Sequence, residues 1–144
     1  MGGAAVKGFS LIEAVVSIAI VGLLLLSASV GIPGLEAKYR LLSGVWEVEA
    51  RLNSGRFRAA VKGESVRVRF SSTCVFLERW RPDRKAWAPF ESHVIPGVNL
   101  QANAAPVFLP RGTVSPLGTI QVWNRWGRFR ITLAITGRIK SRRV

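Results

Sequence analysis

The chain has 144 residues, with 21 lysines and arginines against eight acidic residues and a formal net charge of +13. This length allows one domain with one small core, and the single cysteine, Cys74, excludes an internal disulfide. One histidine, no metal-ligand spacing, no glycine-rich phosphate loop and no paired acids argue against an enzyme. We therefore expect no catalytic site, no metal and no cofactor.

The first 35 residues contain a short leader followed by a long apolar stretch. After Lys7, the stretch from Gly8 to Leu35 carries one charge, Glu13. The uncharged part, residues 14–35, would form a helix about 33 Å long, which is enough for a hydrocarbon core of about 30 Å. We predict that residues 9–35 form a single membrane-spanning helix with its N-terminus in the cytoplasm.

Glu13 is unusual within such a span because a carboxylate in hydrocarbon is costly unless it has a partner. If the chain were cut between Gly8 and Phe9, the new ammonium group of Phe9 could neutralise Glu13 in the same chain or in a neighbouring one. Gly31, Pro33 and Gly34 predict a kink or a loosened turn late in the span.

A second helical segment is predicted to follow and to end near Val61. Apolar or small residues recur there at steps of four and three, which places them on one stripe that should pack on a sheet. The stripe consists of Leu41, Val45, Val48, Leu52, Gly55 and Ala59. Lys62 would be a basic residue in the last turn of this helix, and Gly63 would end it.

From Val66 onward the hydrophobic period changes to two, which indicates strands. The predicted strands are residues 66–70, 73–81, 86–90, 98–100, 107–109, 119–123 and 128–135. The last two should form a hairpin across residues 124–127, and in the final strand Phe129, Ile131, Leu133 and Ile135 should face one way. The fold class is therefore α+β: a long N-terminal membrane-spanning helix packed on an antiparallel β-rich head at residues 36–144.

The positive charge is concentrated towards the C-terminus. After Glu91 there is no acidic residue, yet eight lysines and arginines follow, four of them in the final seven residues. Such a cluster favours a polyanionic partner, which could be nucleic acid, anionic lipid or acidic polysaccharide, and phosphate contacts need no fixed catalytic geometry. The candidate DNA-binding residues are Arg138, Lys140, Arg142 and Arg143 in a predicted loop or tail, with Arg128 and Arg130 on the neighbouring strand. The alternatives are a solvated tail and a diffuse positive surface.

Trp123 and Trp126 could stack on a base or a sugar or contact another protein.

The segment Gly8-Phe9-Ser10-Leu11-Ile12-Glu13, after a short leader with a lysine and before a long apolar run, resembles the class III signal of type IV prepilins. This resemblance implies that a prepilin peptidase removes residues 1–8 and methylates Phe9, and that Glu13 assists filament assembly.

Further segments of the chain resemble the C-terminal half of the GspH/FimT family of minor pilins and pseudopilins. These segments are residues 107–112, 118–120, 130–132 and 136–140. One branch of that family is associated with DNA binding through a Gly-Arg-x-Arg motif, and here Gly137-Arg138-Ile139-Lys140 has lysine at the last position. Charge is kept there, but the bidentate guanidinium is lost.

These resemblances imply a minor pilin of a type IV pilus system that binds extracellular double-stranded DNA non-specifically for uptake in competence. The alternative is a structural minor pilin or type II secretion pseudopilin that initiates or tips a filament without binding DNA. The implied partners are other pilins or pseudopilins, the prepilin peptidase, DNA and the membrane. The implied location is the bacterial inner membrane before assembly and the pilus, periplasm or cell surface afterwards.

Overall fold

The computed structural model describes residues 10–29 and 32–144. Two helices come first: α1 covers Leu11–Ser29 and α2 covers Ile32–Lys62. By their contacts the residues divide into two units, one ending at Leu35 and one comprising Glu36–Val144. In α1, Glu13 lies in the first turn, and the Ser17 hydroxyl donates a hydrogen bond to the Glu13 carbonyl at 2.7 Å.

Within residues 10–29 and 32–144, no helix is long and apolar enough to cross a membrane, so the span predicted at residues 9–35 is not confirmed. The predicted apolar helix coincides with α1, Leu11–Ser29, and with the first residues of α2, which begins at Ile32, while residues 30 and 31 lie outside the described residues. Phe9 and the leader lie outside the described residues.

The predicted packing stripe on α2 is confirmed. All six of its members are buried, from Leu41 to Ala59, and the helix ends at Lys62 before Gly63, whose φ is +64°. The structure also explains why glycine stands on this face. A Cβ at Gly44 would lie 2.9 Å from Val98 Cγ1, and one at Gly55 would lie 3.2 Å from Val68 Cγ2. The missing side chains therefore let the helix lie close to the sheets.

Eight strands follow α2 and form two antiparallel four-stranded sheets. The strands are β1 Val66–Phe70, β2 Cys74–Arg81, β3 Ala86–Val94, β4 Asn99–Ala102, β5 Val107–Phe108, β6 Thr119–Asn124, β7 Gly127–Leu133 and β8 Ile139–Arg143. The first sheet has the order β3-β2-β1-β5, and the second has the order β4-β6-β7-β8. The buried faces of both sheets join α2 in one apolar core that includes Leu52, Val68, Phe108 and Ile131. The α+β class predicted from the sequence is confirmed.

Three features of the predicted strands need correction. β3 continues to Val94, because it pairs with β2 beyond a register shift at Leu77/Glu78. β7 ends at Leu133, so Ile135 does not join the core and is 63% exposed. Most of the predicted basic loop or tail is a strand, β8, which pairs with β7 over its whole length, whereas Arg138 lies in the connection before it.

The outer face of the first sheet holds a buried carboxylate. Glu78 is 5% exposed and forms ion pairs with Arg67 Nη2 at 2.5 Å and with Arg69 Nε at 3.1 Å. These arginines also lie over aromatic rings, Arg67 over Trp87 at 4.6 Å and Arg69 over Phe76 at 4.4 Å. Arg67 and Arg69 are thus used internally, in ion pairs and stacking.

Candidate nucleic-acid interface

The C-terminal basic residues lie on the edge strand of the second sheet. β7 leads into β8 through a tight turn, in which Ala134 N–H donates to Arg138 O at 2.9 Å and Gly137 N–H donates to Ala134 O at 2.9 Å. Gly137 has a φ of +75°, a conformation that glycine adopts without steric cost. Gly137 therefore helps to turn the chain back into the sheet.

The register of this hairpin decides which side chains share a face. In β7, Phe129, Ile131 and Leu133 face the core, whereas Arg128, Arg130 and Thr132 are exposed. Arg130 is directly opposite Arg142, and Thr132 is directly opposite Lys140. Directly opposite residues of an antiparallel pair point to the same side. Arg128, Arg130, Lys140 and Arg142 therefore form one surface, which we call the basic face.

The spacing on the basic face follows from strand geometry. Opposite residues have Cβ atoms about 5 Å apart, and alternate residues along one strand are about 7 Å apart. None of the four strands of this sheet contains an acidic residue. Like charges directly opposite each other destabilise a sheet, so Arg130 and Arg142 gain from an anion placed between them.

Within the described part of the chain, the members of the basic face and Arg138 have no partner of opposite charge. Among the ion pairs of the described residues, none includes any member of the basic face or Arg138. Several arginines elsewhere in the head are paired, for example Arg58 with Glu64 at 3.3 Å and Arg51 with Glu91 at 2.5 Å. Cations without acidic neighbours are the ones that can neutralise an external polyanion.

Strand β6 extends the basic face with Trp123, which the sequence offered as a stacking residue, and with polar groups that carried no signal in the sequence. Gln121 is directly opposite Arg130, and Trp123 is directly opposite Arg128. Arg128 Cζ lies 5.5 Å from the centre of the Trp123 ring. A shallow polar depression of about 380 Å³ lies beside them, lined by Gln101, Asn103, Thr119, Gln121, Arg130 and Thr132 among others. Only the pairing register reveals Gln101 and Gln121, because isolated glutamines carry no sequence signal.

Arg138 lies at the end of the basic face. It is exposed in the turn before β8, and it borders a depression of about 280 Å³ together with Thr132, Leu133, Ala134 and Lys140. The structure therefore brings Arg138 and Lys140 together beside one groove, as the Gly-Arg-Ile-Lys spacing suggested. Both residues are held by the hairpin instead of lying in a free tail.

Arg143 is separated from the other candidates. It is opposite Phe129, on the side of the sheet that faces the core, and its Cζ lies 4.1 Å from the centre of the Trp126 ring. Trp126 itself is partly buried against the core. Trp126 is thus a packing residue, and Arg143 covers it.

The remaining residues singled out from the sequence lie away from the basic face. Cys74 is half-buried in β2, and His93 in β3 contacts Glu47 of α2. Among the residues that the structure describes, no group of three or more potential ligands could hold a metal ion. Gly8 and the Phe9 cleavage position are outside the described residues, whereas Glu13 is exposed on α1.

The sequence matches a family model at its N-terminus. Residues 4–29 match the prokaryotic N-terminal methylation motif. No curated protein matches the chain. The prepilin signal predicted from Gly8, Phe9 and Glu13 is therefore supported by an independent motif that covers the same residues.

The fold resembles solved heads of pilin-like proteins. The minor pseudopilin EpsH of the Vibrio cholerae type 2 secretion system is 16% identical, with a TM-score of 0.59 over 71% of this chain and 94% of that one. The Pseudomonas aeruginosa type IV minor pilin FimU is also 16% identical, with a TM-score of 0.61 over 73% of this chain and 90% of that one. At this identity the likeness concerns the fold. The TM-scores to the minor pseudopilin and to the minor pilin are almost equal.

Proposed function

We propose that this chain, whose residues 4–29 match the prokaryotic N-terminal methylation motif and whose fold resembles those of a minor pilin and a minor pseudopilin, is a type IV minor pilin that binds extracellular double-stranded DNA without sequence preference. The role is one of binding and assembly and is not enzymatic. Before assembly the protein resides in the inner membrane, where the prepilin peptidase processes it. After assembly with other pilins, its head is displayed on the pilus for DNA uptake.

The observation that carries this proposal is the basic face. Four cations, Arg128, Arg130, Lys140 and Arg142, lie on one side of a sheet with no acid among its strands, and Arg138 adds a fifth at its end. A surface of this kind neutralises phosphates and releases counterions. Such a surface binds the charged backbone of DNA and does not distinguish the bases, because phosphate contacts position a protein without carrying sequence information.

The salt dependence of binding gives the number of phosphates engaged. If all five cations contact phosphates, log K should fall with log salt at a slope of about −4.5, at 0.9 per phosphate. A duplex of about 30 base pairs with a fluorescent label, titrated with the full chain in a non-ionic detergent, provides the measurement. Duplexes of unrelated sequence should bind with similar affinity.

A pair of double variants tests whether the charge forms a site. Arg138→Gln with Lys140→Gln should weaken binding and reduce the steepness of the slope by about 1.8. Arg84→Gln with Lys85→Gln removes the same charge from the β2–β3 turn of the other sheet and should change little. Equal weakening by both variants would mean a diffuse positive surface. Absence of binding by the unsubstituted protein near 0.15 M salt would reject DNA binding.

A second candidate function is supported by α2. Four large side chains on its exposed side have no cover within the head: Tyr39 is 61% exposed, Trp46 67%, Phe57 70% and Val61 65%. Exposed apolar stripes usually mark protein interfaces. This favours a structural minor pilin or a type II secretion pseudopilin that initiates or tips a filament, and such a protein would leave the basic face free of DNA.

A further inference from the structure

A long-range contact joins α2 to the turn between β7 and β8. Arg56 Nη1 donates a hydrogen bond to Gly137 O, and Nη2 donates one to Thr136 O, both at 3.2 Å. The two carbonyls are adjacent in the chain and about 80 residues away from Arg56. One guanidinium fork therefore binds the carbonyl groups of two consecutive residues in the connection that leads into β8.

The turn is shaped around this arginine. A Cβ on Gly137 would lie 2.8 Å from Arg56 Nε and 3.0 Å from Gly112 O. The first distance is shorter than a Cβ normally allows and the second is tight, so a side chain would push against Arg56 and the backbone of Gly112. Gly137 also has a φ of +75°, which disfavours any other residue. Gly137 thus provides two things at once, the conformation of the turn and the space that Arg56 occupies.

β8 needs such support because, apart from its pairing with β7, it has few buried contacts. It is an edge strand, and residues 140–143 are exposed while Ile139 is only partly buried. Its Arg142 faces the like charge of Arg130 across the ladder, which weakens the pairing. An exposed, positively charged edge strand gains little from burial, so its order depends on how firmly the preceding turn is fixed.

We propose that Arg56 is a positioning residue for the basic face: by binding the turn at Thr136 and Gly137, it keeps β8 paired with β7 and holds Lys140 and Arg142 beside Arg130. The expected loss of DNA affinity rests on the proposed DNA-binding function. The expected loss of order in β8 does not depend on that function. Arg56 does not need to touch DNA for this role.

Substitution by lysine separates positioning from charge. Arg56→Lys keeps the positive charge but loses the planar fork that serves two carbonyls at once. A positioning role predicts that Arg56→Lys and Arg56→Gln are impaired alike. A direct phosphate contact predicts that the lysine variant binds DNA nearly as well as the unsubstituted protein.

Hydrogen exchange followed by mass spectrometry reads β8 directly, using the full chain in a non-ionic detergent. With two hydrogen bonds lost, amides of residues 139–143 should exchange about tenfold faster in both Arg56 variants. Amides of β1 and β6 should keep their protection. Arg84→Lys, the same change on the β2–β3 turn, is the control and should leave β8 unchanged. DNA affinity of both Arg56 variants should fall severalfold at fixed salt.

The outcomes distinguish this inference from the proposed function. If the unsubstituted protein binds no DNA, the proposed function fails, and the exchange of residues 139–143 still decides the role of Arg56. Unchanged exchange in β8 overturns the inference, and so does a uniform rise across β1, β6 and β8. Loss of DNA binding in Arg56→Gln alone, with Arg56→Lys intact, also overturns it and identifies a phosphate contact.

Discussion

The guanidinium of Arg143 lies 4.1 Å from the centre of the Trp126 ring, whereas the neighbouring Arg142 is opposite Arg130 on the other side of the sheet. Two adjacent arginines of one strand therefore have different tasks. Arg143 covers an aromatic ring at the margin of the core, and Arg142 belongs to the basic face. This follows from the alternation of side chains along a strand.

This difference predicts opposite effects of two similar substitutions. Arg142→Gln should weaken DNA binding and leave thermal stability nearly unchanged. Arg143→Gln should leave affinity nearly unchanged but lower the free energy of unfolding by about 0.5–1 kcal/mol, because a cation–π contact is lost. Fluorescence anisotropy at fixed salt and thermal unfolding followed by circular dichroism would measure the two effects. Equal loss of affinity in both variants would contradict the assignment.

Gly44 should not tolerate alanine although it lies in a helix. Its Cβ would lie 2.9 Å and 3.0 Å from the two methyl groups of Val98. Overpacking of this kind costs about 1–3 kcal/mol, and we expect that cost to exceed the roughly 1 kcal/mol by which alanine favours a helix. Thermal unfolding should show a lower midpoint for Gly44→Ala. Gly34→Ala is the control, because nothing lies within 4 Å of its Cβ position, and it should not lower the midpoint.

Glu78 should contribute to stability through its two arginines. Its side chain is 6% exposed and contacts Arg67 and Arg69, which are themselves 28% and 48% exposed. Glu78→Gln removes the charge but keeps the shape, and we expect a loss of about 1–3 kcal/mol in the free energy of unfolding. Asp83→Asn is a matched control, since the exposed Asp83–Arg84 pair at 3.9 Å should contribute no more than about 0.5 kcal/mol. Chemical denaturation of the two variants gives the comparison, and equal losses would argue against the role of Glu78.

The prepilin signal predicts a specific N-terminus. Mass spectrometry of the protein from its native host should show a chain that begins at N-methylated Phe9. Gly8→Ala or a bulkier substitution should leave the leader attached, because the peptidase requires a small residue at that position. An intact Met1 in assembled filaments would contradict the prepilin interpretation.

Glu13 should matter for assembly and not for processing. If its carboxylate neutralises the ammonium group of Phe9 in a neighbouring subunit, Glu13→Val should insert and be cleaved normally but enter filaments poorly. The apolar side chain removes the cost of burying a carboxylate and leaves the ammonium without its partner. Immunoblots of sheared filaments and of membranes would compare incorporation with processing. Normal incorporation of the valine variant would show that the pairing is dispensable.

Local patterns in the sequence determined much of this protein. The stripe from Leu41 to Ala59 predicted the buried face of α2, because helical spacing alone places those residues together. Alternation predicted most strands, and the prepilin signal at Gly8, Phe9 and Glu13 agreed with the methylation motif matched at residues 4–29. These features depend on residues that are close in the sequence, so local sequence patterns are sufficient to predict them.

Only the tertiary structure decided how the basic residues are arranged. Residues 138–143 lack the alternating apolar pattern of a half-buried strand, so the sequence predicted a loop or tail; backbone pairing with β7 makes most of them β8. That register places Lys140 and Arg142 on one face and Arg143 on the other. The bonds from Arg56 to Thr136 and Gly137 join residues about 80 positions apart. Contacts over such distances depend on how α2 packs on the sheets, which no local pattern encodes.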